Sequence, residues 1–485
     1  MNLTNPSLLQ SKSYVNGQWV TSETNETFEV INPFNGEKVA DVTNCNSSDT
    51  EAAIKAAEDA FKIWKKYTAG KRSKILKKWY DLQRAHVDDL ARLLTIEQGK
   101  PLAEAKGEIL YGASFVEWFA EEAKRIYGDT IPGHQGDKRI VTIKQPVGVV
   151  GAITPWNFPS AMITRKVAPA LAAGCTVVIK PSELTPLSAL ALAELADQAG
   201  FPPGVINIVT SNRAAEIGET LCASSTVRKL SFTGSTRVGK ILLKQCADTV
   251  KKVSLELGGN APFIVFKDAD LDAAVQGAIA SKYRNAGQTC ICSNRLFVQE
   301  DIYEEFVEKY AAAVKLQQLG NGLDQGVVVG PMIEEKAIAS VEDVVADAVS
   351  KGASVMTGGS RSGHGSLFYE PTVLKNAKPD MKVFKQEIFG PVAPVFKFNT
   401  EEEVIALAND TPYGLASYFY GRDYALIWRV AEALEYGMVG INTGMISTTV
   451  APFGGIKESG FGREGSKYGM DDYLEIKYMC WGGVE

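Results

Sequence analysis

From Pro146 onward, short β-branched runs alternate with helical stretches, and this alternation constrains the fold more than any other feature. The runs cover residues 147–153, 176–179, 205–209 and 229–232, and the helical patterns cover residues 162–173, 187–199 and 214–222. Strands that alternate with helices form βαβ units, in which a parallel sheet is covered by helices on both faces. The sequence therefore predicts a doubly wound α/β sheet here.

A second series of the same kind begins at residues 262–266 and continues to about Asn442. The change near residues 256–262 is a natural domain boundary, and a chain of 485 residues is long enough for two or three domains. Before Pro146, apolar residues recur at helical spacing until Gly99 and Pro101 interrupt the pattern. We expect that first part to be mainly helical.

Two alternating segments, residues 139–144 and 474–478, read as strands outside both series. Alternating strands near a C-terminus can pair across subunits, which would make the protein a homo-oligomer. An edge strand within one subunit is an equally good interpretation of the same pattern.

Charge and hydropathy exclude several classes of protein. The formal net charge of −6 argues against a nucleic-acid-binding protein, which usually carries a basic surface. Residues 1–12 are polar and lack the apolar segment of a secretory signal, and no apolar run approaches the length of a membrane span. We therefore expect a cytoplasmic protein.

The cysteines and histidines limit the kinds of catalytic site that the chain can form. Seven cysteines, odd in number and mostly scattered, do not form a disulfide framework, which fits a reducing compartment. The three histidines, His86, His134 and His364, are far apart and none has metal-ligand spacing to a cysteine. A catalytic metal and a histidine-based triad are both unfavoured.

One glycine-containing turn is typical of a phosphate site. Residues 228–234 read as a strand that ends in glycine, and residues 235–240 lead into a helix, whose first N–H groups suit a phosphate. Gly234 to Lys240 nearly matches the Walker A pattern, but Ile241 stands where Ser or Thr would bind magnesium. Residues 460–465 fit the dinucleotide pattern G-x-G-x-x-G, but no strand precedes them, so we interpret them as a loop.

Three residues stand out as candidates for covalent chemistry. Cys290, in residues 285–292, follows a glycine-broken helix, and Glu256 precedes it in residues 255–260. Asn157 lies between two prolines after the strand at residues 147–153, at the end where open α/β sheets bind ligands. The alternatives are a buried, inert cysteine and an asparagine that only caps the helix beginning near Ser160.

These segments resemble the NAD(P)-dependent aldehyde dehydrogenase superfamily. The matching motifs occur in the family's order and together span about residues 12–485; they are residues 155–159, 179–183, 232–235, 255–259, 287–290, 387–391 and 452–455. The resemblance implies two doubly wound parallel-sheet domains with a small β oligomerisation arm. The dinucleotide-binding domain would comprise residues 1–125 and 147–256, the catalytic domain residues 257–445, and the oligomerisation strands residues 126–146 and 470–485.

The resemblance also implies a mechanism. Cys290 would attack the aldehyde, Asn157 and the backbone N–H of Cys290 would hold the oxyanion, and Glu256 would activate the hydrolytic water. Because Glu256 is present, hydrolysis is favoured over acyl transfer to coenzyme A. The residues that match cofactor-binding positions are Trp156, Lys180, Ser182, Glu183, Gly234, Ser235, Gly239, Glu387 and Phe389. A carboxylate at Glu183 repels a 2′-phosphate, which favours NAD, although Lys180 could still serve NADP.

The C-terminal residues 460–469 and 473–478 are similar to the succinate-semialdehyde dehydrogenases, a subgroup of the family. Arg165, Arg284 and Ser447 match residues that hold the carboxylate at the far end of that substrate. Arginine is always charged and can bind a carboxylate through two hydrogen bonds, although each arginine alone would more often be a solvated helix charge. We therefore expect oxidation of succinate semialdehyde to succinate.

Other functions remain open. Glutarate semialdehyde, one methylene longer, is the nearest alternative substrate, since a methylene changes pocket fit by only about 1–3 kcal/mol. A non-catalytic protein of the same fold and a nucleotide hydrolase are more distant alternatives. Cys292 is a possible redox partner of Cys290, as implied by relatives, and an inert neighbour is an equally good interpretation.

Overall fold

The computed structural model describes residues 2–484 and contains two large sheets with helices packed around them. Met1 and Glu485, the ends of the predicted terminal ranges, lie outside the described residues. The strands are β1 (Ser13–Val15), β2 (Gln18–Val20), β3 (Thr27–Ile31), β4 (Lys38–Thr43), β5 (Thr130–Ile131), β6 (Arg139–Pro146), β7 (Val149–Ile153), β8 (Thr176–Lys180), β9 (Ile206–Ile208), β10 (Val227–Thr233), β11 (Lys252–Glu256), β12 (Ala261–Val265), β13 (Ser293–Gln299), β14 (Ser354–Thr357), β15 (Thr372–Lys375), β16 (Val392–Phe398), β17 (Ala416–Tyr420), β18 (Met438–Ile441), β19 (Gly460–Phe461) and β20 (Leu474–Trp481). The α-helices are α1 (Ser47–Trp64), α2 (Ala69–Ala85), α3 (Val87–Gln98), α4 (Leu102–Glu122), α5 (Ala161–Ala173), α6 (Leu187–Ala199), α7 (Ala214–Ala223), α8 (Thr236–Cys246), α9 (Leu271–Lys282), α10 (Tyr303–Val314), α11 (Glu335–Ser350), α12 (Lys382–Lys385), α13 (Glu401–Asn409) and α14 (Tyr424–Ala433).

The first large sheet confirms the alternation of strands and helices expected from Pro146 onward. Its order is β19-β11-β10-β7-β8-β9-β1-β2, and the strands from β11 to β9 are parallel. β7 lies between β8 and β10, so the strand order reverses at β7, and such a switch point leaves a crevice at the carboxyl ends of the strands. β7 ends at Ile153, directly before the loop that carries Asn157.

The second large sheet has the order β14-β15-β16-β13-β12-β17-β18, with parallel pairing from β15 to β18. The chain passes from the first sheet to the second between Glu256, the last residue of β11, and Ala261, the first of β12. The strands on both sides of this crossing are buried. Glu256 is therefore held at a fixed junction between two packed sheets.

Three strands form a smaller sheet outside the two large ones. β20 pairs antiparallel with β6 along its whole length, from Leu474 opposite Pro146 to Trp481 opposite Arg139. The two segments predicted as strands outside the main series thus pair with each other. β20 forms one edge of this sheet, and its residues Ile476 and Tyr478 are 70% and 59% exposed.

The prediction of a loop at residues 460–465 was wrong at its first two positions. Gly460 and Phe461 form β19, which pairs antiparallel with β11. Gly460 has a φ of +118°, and a Cβ there would lie 1.9 Å from the carbonyl oxygen of Leu255, so only glycine permits this pairing.

Two absences concern residues 2–484. No helix in that range is long and apolar enough to cross a membrane. No group of three or more His, Cys, Asp or Glu side chains is arranged there to hold a metal ion.

Candidate active site

A cavity of about 490 Å³ lies where the loops after β7 and β10 meet the loop before β13. It brings together many of the residues singled out in the sequence: Trp156, Asn157, Arg165, Gly234, Ser235, Arg284, Cys290, Glu387, Phe389 and Ser447. The other singled-out residues are not part of its wall: Lys180, Ser182, Glu183, Gly239, Glu256 and Cys292. The cavity therefore joins a thiol, an amide and an arginine in one space.

Cys290 stands on a backbone segment with an unusual conformation. After α9 ends at Lys282, three successive residues, Asn285, Ala286 and Gly287, have φ values of 52°, 55° and 76°. A side chain on Gly287 would bring its Cβ within 2.2 Å of the carbonyl oxygen of Gly390. The helix α9 thus ends before Gly287, the residue expected to interrupt it. The turn that follows presents Cys290 to the cavity, where its side chain is partly exposed.

The electrostatic environment keeps the Cys290 thiol protonated at rest. Burial, with smaller contributions from Glu387 and Glu256, raises the pKa of Cys290 to about 12, although Arg165 opposes the shift. Since the thiolate is the reactive form, the thiol must lose its proton as it attacks. The site therefore needs a proton acceptor near Cys290.

Asn157 belongs to a closed set of hydrogen bonds, which we call the anchoring network: Lys100, Glu108, Asn157, Asn285 and Gln288. The Nδ2 of Asn157 donates to the carbonyl oxygen of Gln288 at 3.0 Å. The carbonyl oxygen of Asn157 accepts from Lys100 Nζ at 2.7 Å and from Asn285 Nδ2 at 3.0 Å. The network ties the Asn157 loop to the turn that carries Cys290.

The charged pair of the anchoring network is fully buried. Lys100 Nζ lies 2.5 Å from Glu108 Oε2, and each side chain is 1% exposed. The other oxygen of Glu108 accepts from the backbone N–H groups of Ser160 and Ala161 at 2.9 and 3.2 Å. Glu108, not Asn157, thus serves the start of α5. Sequence reasoning missed this pair, although a glutamate on the apolar face of α4 was a signal.

Glu256 ends β11 beside the cavity and is 4% exposed. Its Oε2 atom is buried and has no hydrogen-bond partner in residues 2–484. Burial, followed by the charge of Glu464, raises the pKa of Glu256 well above its usual range, while Arg165, Lys166 and Arg463 oppose the rise. A carboxyl group with a raised pKa and a free oxygen is suited to accept a proton.

Glu464 is a second buried carboxylate, and sequence reasoning missed it because residues 460–465 were interpreted as a loop. It accepts from Arg165 Nε at 2.7 Å and from Lys166 Nζ at 2.5 Å. Although burial opposes ionisation, the charges of Lys166 and Arg165 lower the pKa of Glu464 to about 2. Glu464 therefore stays ionised and pairs with both cations.

The two arginines of the expected substrate clamp are not equivalent. The guanidinium of Arg165 is paired with Glu464 and stacks on the ring of Phe453, with 3.9 Å from its central carbon to the ring centroid. Arg284 lines the cavity, lies 5.4 Å from the ring centroid of Phe158 and has no ion pair in residues 2–484. The clamp role of Arg165 stays a prediction, and Arg284 is the cation that remains open.

The wall opposite the clamp carries the aromatic and carboxylate groups expected at a dinucleotide. The rings of Trp156 and Phe389 meet edge to face at 5.6 Å. Glu387 accepts from the N–H of Gly259 at 2.9 Å, and burial raises the pKa of Glu387 to about 8. Ser235 caps α8 by accepting from the N–H of Val238 at 3.4 Å.

The remaining expected cofactor residues lie outside the cavity wall. Lys180 Nζ lies 3.0 Å from Glu183 Oε2, and the Ser182 hydroxyl accepts from the N–H of Leu184 at 3.2 Å. Gly239 lies within α8, and a Cβ there would come within 2.4 Å of the Leu257 side chain. The absence of a side chain at Gly239 allows α8 to pack closely on the residue that follows Glu256.

Cys292 is buried, and its thiol points away from solvent. Its Sγ donates to the carbonyl oxygen of Gly287 at 3.4 Å and lies 3.9 Å from Lys282 Nζ. Burial lowers the pKa of Lys282, and the nearby Cys292 opposes that shift. All seven cysteines are free thiols.

Comparisons with known proteins identify the family of this chain. The sequence matches the aldehyde dehydrogenase family over residues 19–479. It is 61% identical to the glutarate-semialdehyde dehydrogenase of Pseudomonas aeruginosa, with all of both chains covered. It is 60% identical to the NADP(+) succinate-semialdehyde dehydrogenase of Escherichia coli, with 99% of this chain and 100% of the relative covered. It is 58% identical to the 3-sulfolactaldehyde dehydrogenase of Pseudomonas putida, again over the full length of both.

A solved structure extends the likeness to the fold. The crystal structure of succinate-semialdehyde dehydrogenase from Burkholderia pseudomallei superposes with a TM-score of 0.98 at 58% identity, covering 99% of this chain and 100% of that one. The predicted α/β fold class is confirmed. With the family match spanning nearly the whole sequence, this chain is an enzyme of the aldehyde dehydrogenase family.

Proposed function

We propose that this protein oxidises succinate semialdehyde to succinate with a nicotinamide dinucleotide. The observation that carries the proposal is that Arg284, a cation without an ion-pair partner in residues 2–484, lines the same cavity as Cys290. An aldehyde whose far end is a carboxylate would pair with Arg284 while its carbonyl carbon meets the thiol. The substrate is thus selected by charge at one end and reacts at the other.

Cys290 is the proposed nucleophile. Its sulfur bonds to the aldehyde carbon, the carbonyl π electrons move to oxygen, and a thiohemiacetal forms. Because the thiol is neutral at rest, its proton leaves as the bond forms. Glu256 is the proposed acceptor, since its Oε2 has no hydrogen-bond partner in residues 2–484 and its pKa is raised.

The oxyanion of the thiohemiacetal needs donors that are already in place. Asn157 lines the cavity, and its amide is held on the Gln288 carbonyl through one N–H, which leaves the second N–H for the substrate oxygen. The backbone N–H of Cys290 is the proposed second donor. Removing one such donor in other enzymes costs about 3–4 kcal/mol of transition-state stabilisation.

Glu256 is the proposed base of the hydrolytic step. After oxidation, the acyl group remains on the Cys290 sulfur as a thioester, and water must attack it. Once the proton taken from Cys290 has left for solvent, Glu256 takes a proton from that water and passes it to the Cys290 sulfur as the carbon–sulfur bond breaks, which releases the acid and restores the thiol. With a carboxylate available, hydrolysis is favoured over acyl transfer to coenzyme A.

The residues present fit a nicotinamide dinucleotide. When bound, the cofactor accepts the hydride that leaves the thiohemiacetal carbon. The N-terminus of α8 at Ser235 suits the pyrophosphate. Glu387 suits ribose hydroxyls, because its Oε1 accepts from the N–H of Gly259 while its Oε2 accepts no hydrogen bond within residues 2–484.

NAD is the proposed preferred cofactor. The charge of Lys180 is already countered by Glu183 at 3.0 Å, so a 2′-phosphate placed there would meet an unfavourable carboxylate. The Escherichia coli relative named for NADP(+) makes this proposal worth testing directly. We expect a higher kcat/KM with NAD, and a gain in NADP use in Glu183→Gln. A clear preference of the unaltered enzyme for NADP would overturn the proposal.

Glutarate semialdehyde is the main alternative substrate, and a relative 61% identical to this chain is named for it. The relative named for 3-sulfolactaldehyde makes a sulfonate a further anionic end group to test. All three share an aldehyde and an anion, so Arg284 serves each of them. Length separates succinate semialdehyde from glutarate semialdehyde, whereas the sulfonate and the hydroxyl distinguish 3-sulfolactaldehyde from both.

The deciding experiment is a panel of initial rates. Succinate semialdehyde, glutarate semialdehyde, 3-sulfolactaldehyde and uncharged butyraldehyde would each be measured with NAD and with NADP. We expect the highest kcat/KM with succinate semialdehyde and the lowest with butyraldehyde. Equal rates with butyraldehyde would refute the anionic substrate. Iodoacetamide labelling of Cys290 without loss of activity would refute the nucleophile.

Arg284→Ala tests the charge recognition itself. Losing an arginine–carboxylate pair should raise KM for succinate semialdehyde by roughly tenfold to a hundredfold and leave butyraldehyde nearly unchanged. Arg422→Ala is the matched control, because Arg422 is an exposed arginine paired with Asp270 on the surface. Arg422→Ala should leave the KM for succinate semialdehyde and for butyraldehyde unchanged.

A homodimer or homotetramer is the proposed assembly, formed through the three-stranded sheet. β20 lies at the edge of that sheet and exposes Ile476, Tyr478 and Trp481. An exposed apolar edge strand is suited to pairing with a second copy. Light scattering of Ile476→Lys should show smaller particles than the unaltered protein. A reducing, cytoplasmic location is proposed alongside, in keeping with seven free thiols.

A further inference from the structure

Tyr111 contributes a polar group to the cavity that the mechanism above does not use. It lies on α4 and lines the cavity together with Arg284 and Ser447. Its ring packs edge to face on Phe115, with 4.9 Å between ring centroids, so the side chain is held in one position. Its hydroxyl is buried and has no hydrogen-bond partner of normal geometry in residues 2–484.

The neighbours of that hydroxyl are the groups of the substrate clamp. Burial raises the pKa of Tyr111 and the charge of Glu464 adds to the rise, while Arg165, Arg284 and the hydroxyl of Ser447 oppose it. These three opposing residues line the same cavity as Tyr111. With the raised pKa the phenol keeps its proton at neutral pH and acts as a donor. A buried donor without a partner is unfavourable unless a ligand supplies the acceptor.

The clamp has fewer uncompensated positive charges than the sequence indicated. Arg165 is paired with Glu464, so Arg284 is the open cation beside the Tyr111 and Ser447 hydroxyls. A carboxylate has two oxygens and room for about four hydrogen bonds, more than one guanidinium alone satisfies. Two N–H groups of Arg284 and the hydroxyls of Tyr111 and Ser447 would together supply about as many donors as the carboxylate can accept.

We propose that Tyr111 is a specificity-determining residue whose hydroxyl donates a hydrogen bond to the anionic end of the aldehyde, beside Arg284 and Ser447. This inference rests on the proposed function, since it requires a substrate with an anionic end. It assigns to α4 a direct part in substrate recognition, in addition to carrying Glu108 of the anchoring network.

Tyr111→Phe is the direct test, because it removes one oxygen and keeps the ring that packs on Phe115. Loss of a hydrogen bond to a charged group should lower kcat/KM for succinate semialdehyde roughly tenfold or more, mainly through KM. The kcat/KM for butyraldehyde should stay within about twofold. The inhibition constant of succinate as a competitive inhibitor should rise by a similar factor. This measurement tests the contact without turnover.

Tyr310→Phe is the matched control. Tyr310 also has a buried hydroxyl without a hydrogen-bond partner of normal geometry in residues 2–484, but it lies in the apolar core around α10 and not on the cavity wall. Tyr310→Phe should leave kcat/KM for succinate semialdehyde and butyraldehyde unchanged, and also the inhibition by succinate. An effect of Tyr310→Phe equal to that of Tyr111→Phe would mean that lost packing, not recognition, explains the result.

The outcomes separate this inference from the proposed function. If the unaltered enzyme prefers succinate semialdehyde and Tyr111→Phe keeps that preference with unchanged succinate inhibition, the role of Tyr111 is refuted and the function stands. If the unaltered enzyme does not distinguish butyraldehyde from the half-aldehydes, the proposed function itself fails. Equal losses on charged and uncharged aldehydes also refute the hydrogen bond.

Discussion

Two groups of buried polar atoms at the cavity, the anchoring network and a pair of groups outside it, differ in how their hydrogen-bonding capacity is satisfied. On the side of Asn157, the charged pair Lys100 and Glu108 and the amides of the anchoring network all have partners. By contrast, Glu256 Oε2 beside the cavity and the Tyr111 hydroxyl on its wall are buried without hydrogen-bond partners in residues 2–484. Satisfied networks make a structure rigid, whereas unsatisfied atoms are where a reactant or water can bind.

This difference separates positioning from chemistry. Residues of the anchoring network hold the oxyanion donor and the nucleophile loop at fixed places, so their loss should reduce stability. Residues with open atoms contribute little to stability, so their loss should reduce catalysis. The same division explains why the buried glutamates Glu464 and Glu256 behave in opposite ways: Glu464 is paired with two cations, and Glu256 Oε2 has no hydrogen-bond partner in residues 2–484.

Glu256→Gln should produce the largest effect. Without the base, hydrolysis of the acyl-enzyme should slow by about 10²–10⁴-fold. Acylation of Cys290 by an activated ester such as 4-nitrophenyl acetate should slow much less, because its leaving group departs readily and water can take the thiol proton in place of Glu256. The expected record is a burst of one equivalent of 4-nitrophenolate followed by a very slow steady rate. The midpoint of thermal unfolding should hardly change, because an unpartnered carboxyl has been removed.

Glu97→Gln is the matched comparison for Glu256→Gln. Glu97 is also fully buried with a pKa raised to about 8 by burial, but it accepts from Leu187 and Ser188 and lies away from the cavity. The Glu97→Gln variant should be less stable than the unaltered protein and should keep its deacylation rate. If Glu256→Gln loses stability and keeps its activity instead, the division between positioning and chemistry is wrong.

Lys100→Met should produce the next largest effect, on stability. Methionine retains the length of the side chain but leaves Glu108 buried without its cation, and breaking a buried pair costs about 3–5 kcal/mol. We expect that loss in the free energy of unfolding, measured with denaturant, together with a lower kcat from a displaced Asn157. Lys77→Met breaks an exposed pair with Glu121 and should cost less than about 1 kcal/mol. Equal effects of the two changes would contradict the anchoring role.

The sequence predicted a good part of this picture. Strand and helix alternation has a clear local signal, so α6 at Leu187–Ala199 was predicted with its observed bounds. Cys290, Glu256 and Asn157 stand in short motifs and could be singled out. Whether they act as expected stays a prediction that the experiments above test.

The anchoring network and Glu464 could not be predicted in the same way. Lys100 and Asn157 are far apart in the chain, as are Arg165 and Glu464, and a single sequence carries no signal for such pairings. Arg165 shows the consequence. Its residue type indicated a free cation for the substrate, and only the tertiary contact with Glu464 reveals that its charge is already countered.

Glu464→Gln should have a smaller effect, visible in the pH profile. The charge of Glu464 raises the pKa of Glu256, so removing that charge should lower it. Glu256 must be ionised to act as a base, so activity falls as the pH drops through its pKa. The acid limb of the deacylation rate should therefore shift to lower pH in Glu464→Gln. A limb that stays in place, or moves to higher pH, would show that the two carboxyl groups are not coupled.

Cys292→Ala should have the smallest effect on basal activity, because Cys292 is not part of the cavity wall. It tests whether the thiol beside Lys282 takes part in redox chemistry. Peroxide can oxidise the thiols of Cys290 and Cys292 to a disulfide with release of two waters, and such a small strained ring is easily reduced by an added thiol. Inactivation of the unaltered enzyme should then be reversed by dithiothreitol. In Cys292→Ala, the sulfenic acid on Cys290 has no neighbouring thiol and is open to further, irreversible oxidation. Equal recovery in both proteins would leave Cys292 with a packing role only, held by Gly287 and Lys282.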